Sequence, residues 1–243
     1  MSKEIYRNLT AAQLLDIWEQ GLHQPPLQRI FILLAAAFPD RTPAELLELS
    51  IGQRDRLLLR LREHLFGQRL LNTARCPQCA ERIEWESSVT DYFVQATELA
   101  ESFELREADY MLRFRLPNSL DVAAALNAGD TEIILNRCVL QAEQNGEECA
   151  PDKLPESVLQ KLAEKIEEAD PLAEIRLQLH CPACAHDWEA VFDIGSFLWA
   201  ELNDWAERML RTIHKLAAGY GWSEQDILAL SPVRRQLYLG MLG

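Results

Sequence analysis

The sequence has little positive charge, and this shortage argues against anionic partners. Its 243 residues include 24 Lys and Arg against 38 Asp and Glu, which gives a formal net charge of −14. A surface this acidic repels phosphate backbones and anionic lipid head groups. The arginine-rich stretch 54–63 has helical spacing and also carries Asp55 and Glu63, so we interpret it as a solvated helix face. We therefore expect no nucleic-acid partner.

A long apolar run and a secretion signal are also missing. The longest apolar run, residues 30–38, is far too short for a bilayer span, which needs about 20 residues. The first residues are followed by no apolar core and no small-residue cleavage site. We therefore expect a soluble, cytoplasmic protein with no membrane partner, whose six cysteines stay reduced rather than form disulfides.

Familiar catalytic signatures are absent as well. The sequence contains no His-Glu-x-x-His, Gly-x-Ser-x-Gly, phosphate-loop or Gly-x-Gly-x-x-Gly motif. The zinc deaminase signature needs His-x-Glu near its cysteine pair, and neither cysteine pair of this chain has one. We expect a protein that is not an enzyme.

Two Cys-Pro-x-Cys motifs are the clearest chemical feature that is present. One spans residues 76–79 and the other residues 181–184, and we call each a CPxC knuckle. A Cys-x-x-Cys turn directs two thiolates to one point, and a structural zinc ion takes four ligands tetrahedrally. A strand-like segment follows each knuckle, as a zinc ribbon requires. We predict one structural zinc ion per chain, with these ligands: Cys76, Cys79, Cys181 and Cys184.

Three alternatives to a shared zinc site remain open from the sequence. The pairs could be redox-active, although that chemistry places the attacking thiolate at a helix N-terminus and strand-forming residues follow both knuckles. The metal could have been lost, which would leave buried thiols. His180 or His186 could replace one cysteine, although His186 is better interpreted as a surface or neighbouring group. A catalytic zinc is disfavoured because four thiolates leave no open position for water or substrate.

Apolar periodicity and cap residues predict an α+β fold that is mostly α. We expect helical arms around a small split zinc-ribbon β unit, with a helical insertion between the two knuckles. Residues 103–116 are predicted as one strand, and residues 131–144 as one helix with Cys138 in the core. Cys149 receives no role. The predicted segments are an N-terminal helical segment 1–69, the first ribbon half with its following strand 70–116, the helical insertion 117–170, the second ribbon half 171–193 and a C-terminal helical segment 194–243.

The C-terminal segment is rich in aromatic residues, and two interpretations of it remain open. Phe197, Trp199 and Trp205 fall on a long helix, where packing in the core is the default. Because aromatic residues also anchor interfaces, part of the same face could dock a partner. Trp222 could likewise staple the helix that follows it or bind a partner. The predicted partner-binding residues are Trp199, Trp205 and Trp222.

A set of short stretches along the chain carries a further signal. They are LQRI (27–30), LSIGQRD (49–55), LLRLRE (58–63), FG (66–67), CPQC (76–79), FRLPNS (114–119), ADP (169–171), CPAC (181–184), FDI (192–194) and YGWS (220–223). In these stretches, nearly the whole chain resembles a family of small proteins encoded beside phage-tail and contractile-injection-system genes. That family is related to the baseplate hub assembly chaperones of T-even-type phages. The paired knuckles are the most specific part of the resemblance.

This resemblance implies a zinc-stabilised assembly factor. Such a chaperone or adaptor would act in the cytoplasm while a tail-like particle is built, and it would hold a hub, spike or tape-measure protein. The four knuckle cysteines match the zinc-ligand pattern of the family, which offers no catalytic residues to carry over. Two alternatives are kept: a structural subunit that stays in the mature baseplate, and a thiol oxidoreductase that uses the CPxC pairs.

Overall fold

Helices and short antiparallel strands alternate along residues 6–93 and 100–242, the part of the chain that the computed structural model describes. Residues 1–5, 94–99 and 243 lie outside the described residues. They belong to the predicted segments 1–69, 70–116 and 194–243, respectively. The helices are α1 (Ala11–Gly21), α2 (Pro26–Ala37), α3 (Pro43–Glu48), α4 (Ile51–Phe66), α5 (Val89–Tyr92), α6 (Ser119–Ala128), α7 (Glu132–Cys138), α8 (Glu156–Ala169), α9 (Ile194–Tyr220), α10 (Glu224–Ala229) and α11 (Pro232–Gly240). The strands are β1 (Arg69–Arg75), β2 (Arg82–Ser88), β3 (Phe103–Glu107), β4 (Tyr110–Phe114), β5 (Val139–Gln144), β6 (Glu147–Glu148), β7 (Ile175–His180) and β8 (Asp187–Phe192). The predicted fold class, α+β and mostly α, is confirmed.

Cap residues set where several helices begin. Thr10 and Ser50 each accept a hydrogen bond from the amide of the third helical residue, Gln13 or Gln53, whose side chain accepts one back from the cap's own amide. Ser223 caps α10 in the same reciprocal way. Such caps each contribute about 1 kcal/mol because they satisfy amides that have no partner inside the helix. A hydroxyl residue followed three positions later by Gln or Asp is the local sequence pattern behind all three caps.

The chain divides into two compact units, and the terminal unit is helical. It joins the residues up to Thr42 with those from Gly195 onward, while Pro43–Ile194 form the central unit. In the terminal unit, Leu15 of α1 packs with Ala206, Ile213 and Leu216 of α9, which places the apolar stripe of each helix inside. None of the helices in the described residues is long and apolar enough to cross a membrane.

Gly21 of α1 lies directly against the side chain of Trp199 of α9, and this contact supports a stability prediction. A Cβ added at Gly21 would overlap the indole ring of Trp199, which is only 9% exposed and therefore has little room to move. We expect Gly21→Ala to lower the free energy of unfolding of the terminal unit by about 1–3 kcal/mol, as overpacking does elsewhere. Chemical denaturation measures this change in the free energy of unfolding. Gly240→Ala is the matched control, because nothing lies within 4 Å of its added Cβ; equal effects of the two changes would contradict the packing.

The central unit contains a four-stranded antiparallel sheet in the order β3-β4-β5-β6. The prediction of one strand over residues 103–116 is wrong, because the chain reverses at Ala108 and forms the hairpin β3–β4. Ala108 adopts a left-handed conformation, with φ of 50°, that Gly or Asn more often occupies. The alternating pattern continues on both sides of this turn, so the pattern does not indicate the reversal.

The prediction of one helix over residues 131–144 is also wrong. Helix α7 ends at Cys138, and residues 139–144 pair with β4 as strand β5. The apolar residues fit either structure, and pairing with a neighbouring strand overrides the local helical pattern. Asn145 and Gly146 form the tight turn from β5 to β6 with φ of 54° and 84°. The insertion between the knuckles therefore contains sheet as well as helix.

One face of this sheet packs against α8 to form the core of the central unit. Leu112 and Phe114 of β4 meet Val158, Leu162 and Ile166 of α8, and these side chains are almost completely buried. Cys138 lies in the same core, as predicted, and burial raises the pKa of its thiol to about 12. This thiol is therefore an apolar packing group rather than a nucleophile.

Candidate metal centre

Each CPxC knuckle closes an antiparallel hairpin. We call β1–β2 the first hairpin and β7–β8 the second; their last pairs before the knuckles are Arg75 with Arg82 and His180 with Asp187. Because the paired strands hold both ends of each turn, the six intervening residues have little freedom. The knuckles thus present their thiols from well-ordered hairpin ends.

The two knuckles have the same local backbone structure. In the first, the amide of Cys76 donates to the carbonyl of Glu81 and its carbonyl accepts from the amide of Ala80, both at 2.9 Å. In the second, Cys181 makes the equivalent bonds with His186 and Ala185, also at 2.9 Å. Ala80 and Ala185 are both left-handed, with φ of 61° and 58°. The sequence similarity between the two knuckles therefore reflects a repeated turn.

The four knuckle sulfurs converge on one point. The Sγ atoms of Cys76 and Cys184 lie 3.7 Å apart, those of Cys79 and Cys181 lie 3.6 Å apart, and all four lie within 4.8 Å of one another. A tetrahedron with metal–sulfur bonds of about 2.3 Å has edges of about 3.8 Å, whereas a disulfide requires about 2.05 Å. The four cysteines are free and could hold a metal ion, so the predicted convergence across more than a hundred residues is confirmed.

Electrostatics within the cluster favour one thiolate but oppose four. Burial works against ionisation of Cys76, but backbone amides of Cys79 and Gln78 and the neighbouring thiols outweigh it and lower the pKa of Cys76 to about 7. The amide of His186 favours ionisation of Cys184, but burial and the three other sulfurs raise the pKa of Cys184 to about 12. Four negative sulfurs at these distances repel one another unless a cation lies among them.

This electrostatic arrangement predicts that metal binding releases protons. Sulfur binds metal as thiolate, so a cation must displace the protons that the free cluster retains at neutral pH. We expect the apparent affinity to weaken as pH falls from about 8 to about 6, because protons then compete more strongly for the same sulfurs. Titration calorimetry in buffers of different ionisation enthalpy counts the released protons. An affinity that does not change with pH would contradict this description of the site.

The histidine alternative is not supported by the geometry. His180 Nδ1 lies 2.7 Å from a carboxylate oxygen of Asp187 across the second hairpin, and the ring of His186 stacks on Trp188 at 6.1 Å. Among the described residues, the group of side chains that could hold a metal at this place consists of the four cysteines. The knuckles lead into β2 and β8 rather than into helices, so neither has the helix N-terminus that activates redox cysteine pairs.

Comparison with known proteins places the chain in a family. The sequence model described as T4 bacteriophage base plate protein matches residues 27–199, well over half of the chain. The chain belongs to this base plate family. The match includes both knuckles and the whole central unit. No curated protein and no solved structure matches the chain.

In this base plate family member, a buried polar cluster around the start of α4 positions the hairpins. The Gly52 amide donates to Asp170 Oδ2 at 2.9 Å, so a residue that shortly precedes β7 caps a helix 118 positions earlier. Arg54 donates to Ser119 Oγ at 3.2 Å, and the backbone of Ser50 pairs with that of Asn118. This cluster joins stretches 49–55, 114–119 and 169–171, and sequence reasoning missed it because none of these stretches predicts its partners.

The other end of α4 fixes the first hairpin. The side chain of Arg62 is 2% exposed and donates to the carbonyls of Gly67 and Arg69, at 2.6 and 2.7 Å. The interpretation of stretch 54–63 as a solvated helix face is therefore wrong for Arg62 and for the buried Arg54. Gly67, with φ of 86°, allows the sharp exit from helix to strand. Both hairpins therefore start from contacts with one helix. At their far ends from the knuckles, the rings of Tyr92 and Phe192 stack at 4.8 Å.

The tryptophans predicted to bind a partner lie in the terminal unit. Trp199 packs against Gly21, and Arg29 lies 5.0 Å over its ring. Trp205 is half-buried against the cluster of α1 and α9, and Trp222 stacks on Tyr220 at 4.6 Å. For Trp199 this is the core packing that sequence analysis gave as the default. Partner binding by the three residues stays a prediction.

Proposed function

We propose that this protein is a zinc-stabilised, non-enzymatic assembly chaperone or adaptor for the baseplate hub of a phage tail or contractile injection system. The observation that carries the proposal is the base plate family match over residues 27–199. That family membership gives the chain a baseplate-related role and makes other baseplate proteins its expected partners. Within that group we propose a hub, spike or tape-measure protein, bound in the cytoplasm during assembly.

Zinc is the metal that best suits the sulfur cluster. Four thiolates in a tetrahedron are typical of structural zinc sites, and such a ligand set is chemically closed. If bound there, zinc would hold the two hairpins together through Cys76, Cys79, Cys181 and Cys184. Elemental analysis of protein purified without added metal should give about one zinc per chain. Iron at the same stoichiometry would overturn the zinc assignment but leave the site in place.

A non-enzymatic role is supported by the same ligand set. Four protein sulfurs leave no coordination position for a water or a substrate, and catalytic zinc sites keep such a position open. The thiol oxidoreductase alternative has weaker support, because strands follow both knuckles. Thiol titration of the native protein tests it. Reaction of the knuckle cysteines before any chelator is added would favour the redox alternative.

The remaining choice is between an assembly factor and a subunit that stays in the mature baseplate. Quantitative mass spectrometry of purified particles separates them. We expect the chain to be absent from finished particles, and we expect deletion of its gene to prevent baseplate assembly. Retention of the chain at fixed stoichiometry would overturn the chaperone proposal and favour the structural subunit.

A further inference from the structure

Strands β2 and β7 border one groove without pairing across it. In the described residues, β2 pairs only with β1 and β7 only with β8, so each is an edge strand. A cavity of about 580 Å³ lies between residues 82–85 of β2 and residues 177–180 of β7. A second cavity of about 360 Å³ continues it, between residues 85–92 and residues 171–177. The groove therefore follows nearly the full length of both strands, which is about 20 Å for six residues.

The backbone edges of both strands face this groove. Consecutive residues line it on each side, Arg82 to Trp85 on one and Leu177 to His180 on the other. Because side chains alternate between the two faces of a strand, a lining made of consecutive residues means that the strand borders the cavity with its edge. An edge strand carries amide and carbonyl groups that point away from its sheet and can pair with another strand.

The groove also has alternating apolar side chains. Ile83, Trp85, Leu177 and Leu179 are each half-buried, and they alternate with the exposed residues Arg82, Glu84, Gln178 and His180. Sheets bind an added strand where half-buried aromatic and aliphatic side chains lie beside a free strand edge. The backbone of the edge supplies affinity, and the alternate side chains supply specificity.

The charge around the groove indicates the sign of its occupant. The two hairpins with their flanking residues, 69–93 and 171–193, contain 4 Arg and 8 Asp or Glu, a net charge of −4. The residues that line the two cavities contain 2 Arg and 3 Asp or Glu, a net charge of −1. The two arginines that line the groove already have carboxylate partners: Arg82 pairs with Glu84 at 2.9 Å, and Arg176 pairs with Glu174 at 2.8 Å. The surplus is therefore negative, and it complements a basic segment.

We propose that the groove between β2 and β7 binds an extended segment of a partner protein in which apolar residues alternate with lysine or arginine. The segment adds as a strand between the two hairpins, with its apolar side chains on Trp85 and Leu177 and its basic side chains toward the acidic rim. This inference rests on the proposed function, because it gives the chemistry of the partner that an assembly factor of this structure recognises.

The test uses the full-length, metal-loaded protein and a synthetic peptide. The probe is a fluorescently labelled peptide of about seven residues that alternates valine with lysine, long enough to follow either strand. We expect saturable binding with a dissociation constant in the range of about 10–100 µM by anisotropy. Leu177→Lys should weaken binding at least about tenfold. Val191→Lys is the matched control, because Val191 is 60% exposed on β8 and does not line the groove.

Peptide controls keep the test decisive if Leu177→Lys disturbs the fold. A peptide with glutamate in place of lysine tests the charge, and a peptide with a central proline tests the strand pairing, since proline removes an amide donor. We expect both to bind at least about tenfold more weakly. Three outcomes would overturn the inference. Either control peptide could bind as tightly as the valine–lysine peptide, or the natively folded Leu177→Lys and Val191→Lys proteins could bind that peptide equally. The third outcome is that the valine–lysine peptide does not bind at about 1 mM. The mass spectrometry of finished particles does not depend on peptide binding. The groove proposal can therefore fail while the assembly-chaperone proposal stands, and the reverse is also possible.

Discussion

The Cys181→Ser protein is expected to lose its metal and to unfold around the second hairpin. Cys181 is fully buried, and its sulfur lies 3.6 Å from that of Cys79, so serine there removes one quarter of the ligand set. In such sites the free energy of metal binding is also free energy of folding. The second hairpin has no further strand to pair with in the described residues, so the metal would add to its few other attachments, which include the Gly52–Asp170 bond and the Tyr92–Phe192 stack.

The expected loss is more than about 4 kcal/mol of unfolding free energy, the size that loss of a structural metal produces. For a chain of this size that corresponds to a fall in melting temperature of about 10 °C or more. Metal content by mass spectrometry and thermal unfolding by circular dichroism measure the two effects together. Cys149→Ser makes the same chemical change away from the knuckles and should retain metal. A Cys181→Ser protein with full metal content and an unchanged melting temperature would rule out the shared site.

The Asp121→Ala protein is expected to be destabilised by about 3–5 kcal/mol, the cost of removing one partner from a buried ion pair. Asp121 is completely buried and accepts hydrogen bonds from Arg115 at 2.6 and 2.9 Å and from Arg137 at 2.8 Å. It also accepts from the amide of Asn118 at 3.0 Å, at the start of α6. Without the carboxylate, two guanidinium groups and a helix terminus lose their partner.

The pH dependence of stability gives a second measure of the same site. Burial alone would raise the pKa of Asp121, but Arg115, the Asn118 amide and Arg137 together lower it below its ordinary value. A carboxyl with a lowered pKa in the folded state stabilises the protein above its unfolded pKa, and this contribution is lost as pH falls toward the folded pKa. We therefore expect the wild-type protein to lose more stability than Asp121→Ala between neutral and strongly acidic pH.

Urea denaturation at several pH values measures both effects of the Asp121 change. Asp152→Ala is the control, because Asp152 is an exposed carboxylate in the same unit. Surface changes of this kind usually alter stability by less than about 0.5 kcal/mol. If Asp121→Ala behaves like the control, the carboxylate does not hold α6, α7 and β4 together.

Features decided by nearest neighbours in the chain could be predicted from the sequence. The caps at Thr10, Ser50 and Ser223 depend on a hydroxyl and an amide only three residues away. Helix α8 agrees with the apolar spacing between Pro155 and Pro171. The four cysteines of the candidate metal site could be predicted because a CPxC turn brings its own two sulfurs together, and a tetrahedral metal needs two such pairs.

Features that depend on distant partners could not be predicted in this way. Residues 139–144 form a strand because β4 lies beside them, and Ala108 turns the chain because β3 and β4 pair on either side of it. Asp170 is a helix cap only because Gly52 lies next to it in the folded chain. The strand at 139–144 and the cap by Asp170 depend on contacts across long stretches of chain, which no short stretch of sequence encodes. The turn at Ala108 is local, but it lacks the glycine that usually marks such a hairpin turn.

By itself, the sequence determined that this protein carries two matched sulfur pairs on hairpin turns, in a mostly helical and acidic chain. Only the tertiary structure decided that the two pairs meet within 4.8 Å, that α4 anchors both hairpins, and that β2 and β7 border an open groove. The physical reason is how far apart in the sequence the interacting residues lie. Turn and cap geometry follows from bonds a few residues apart, whereas a site shared by residues 76 and 184 exists only after the intervening chain has packed.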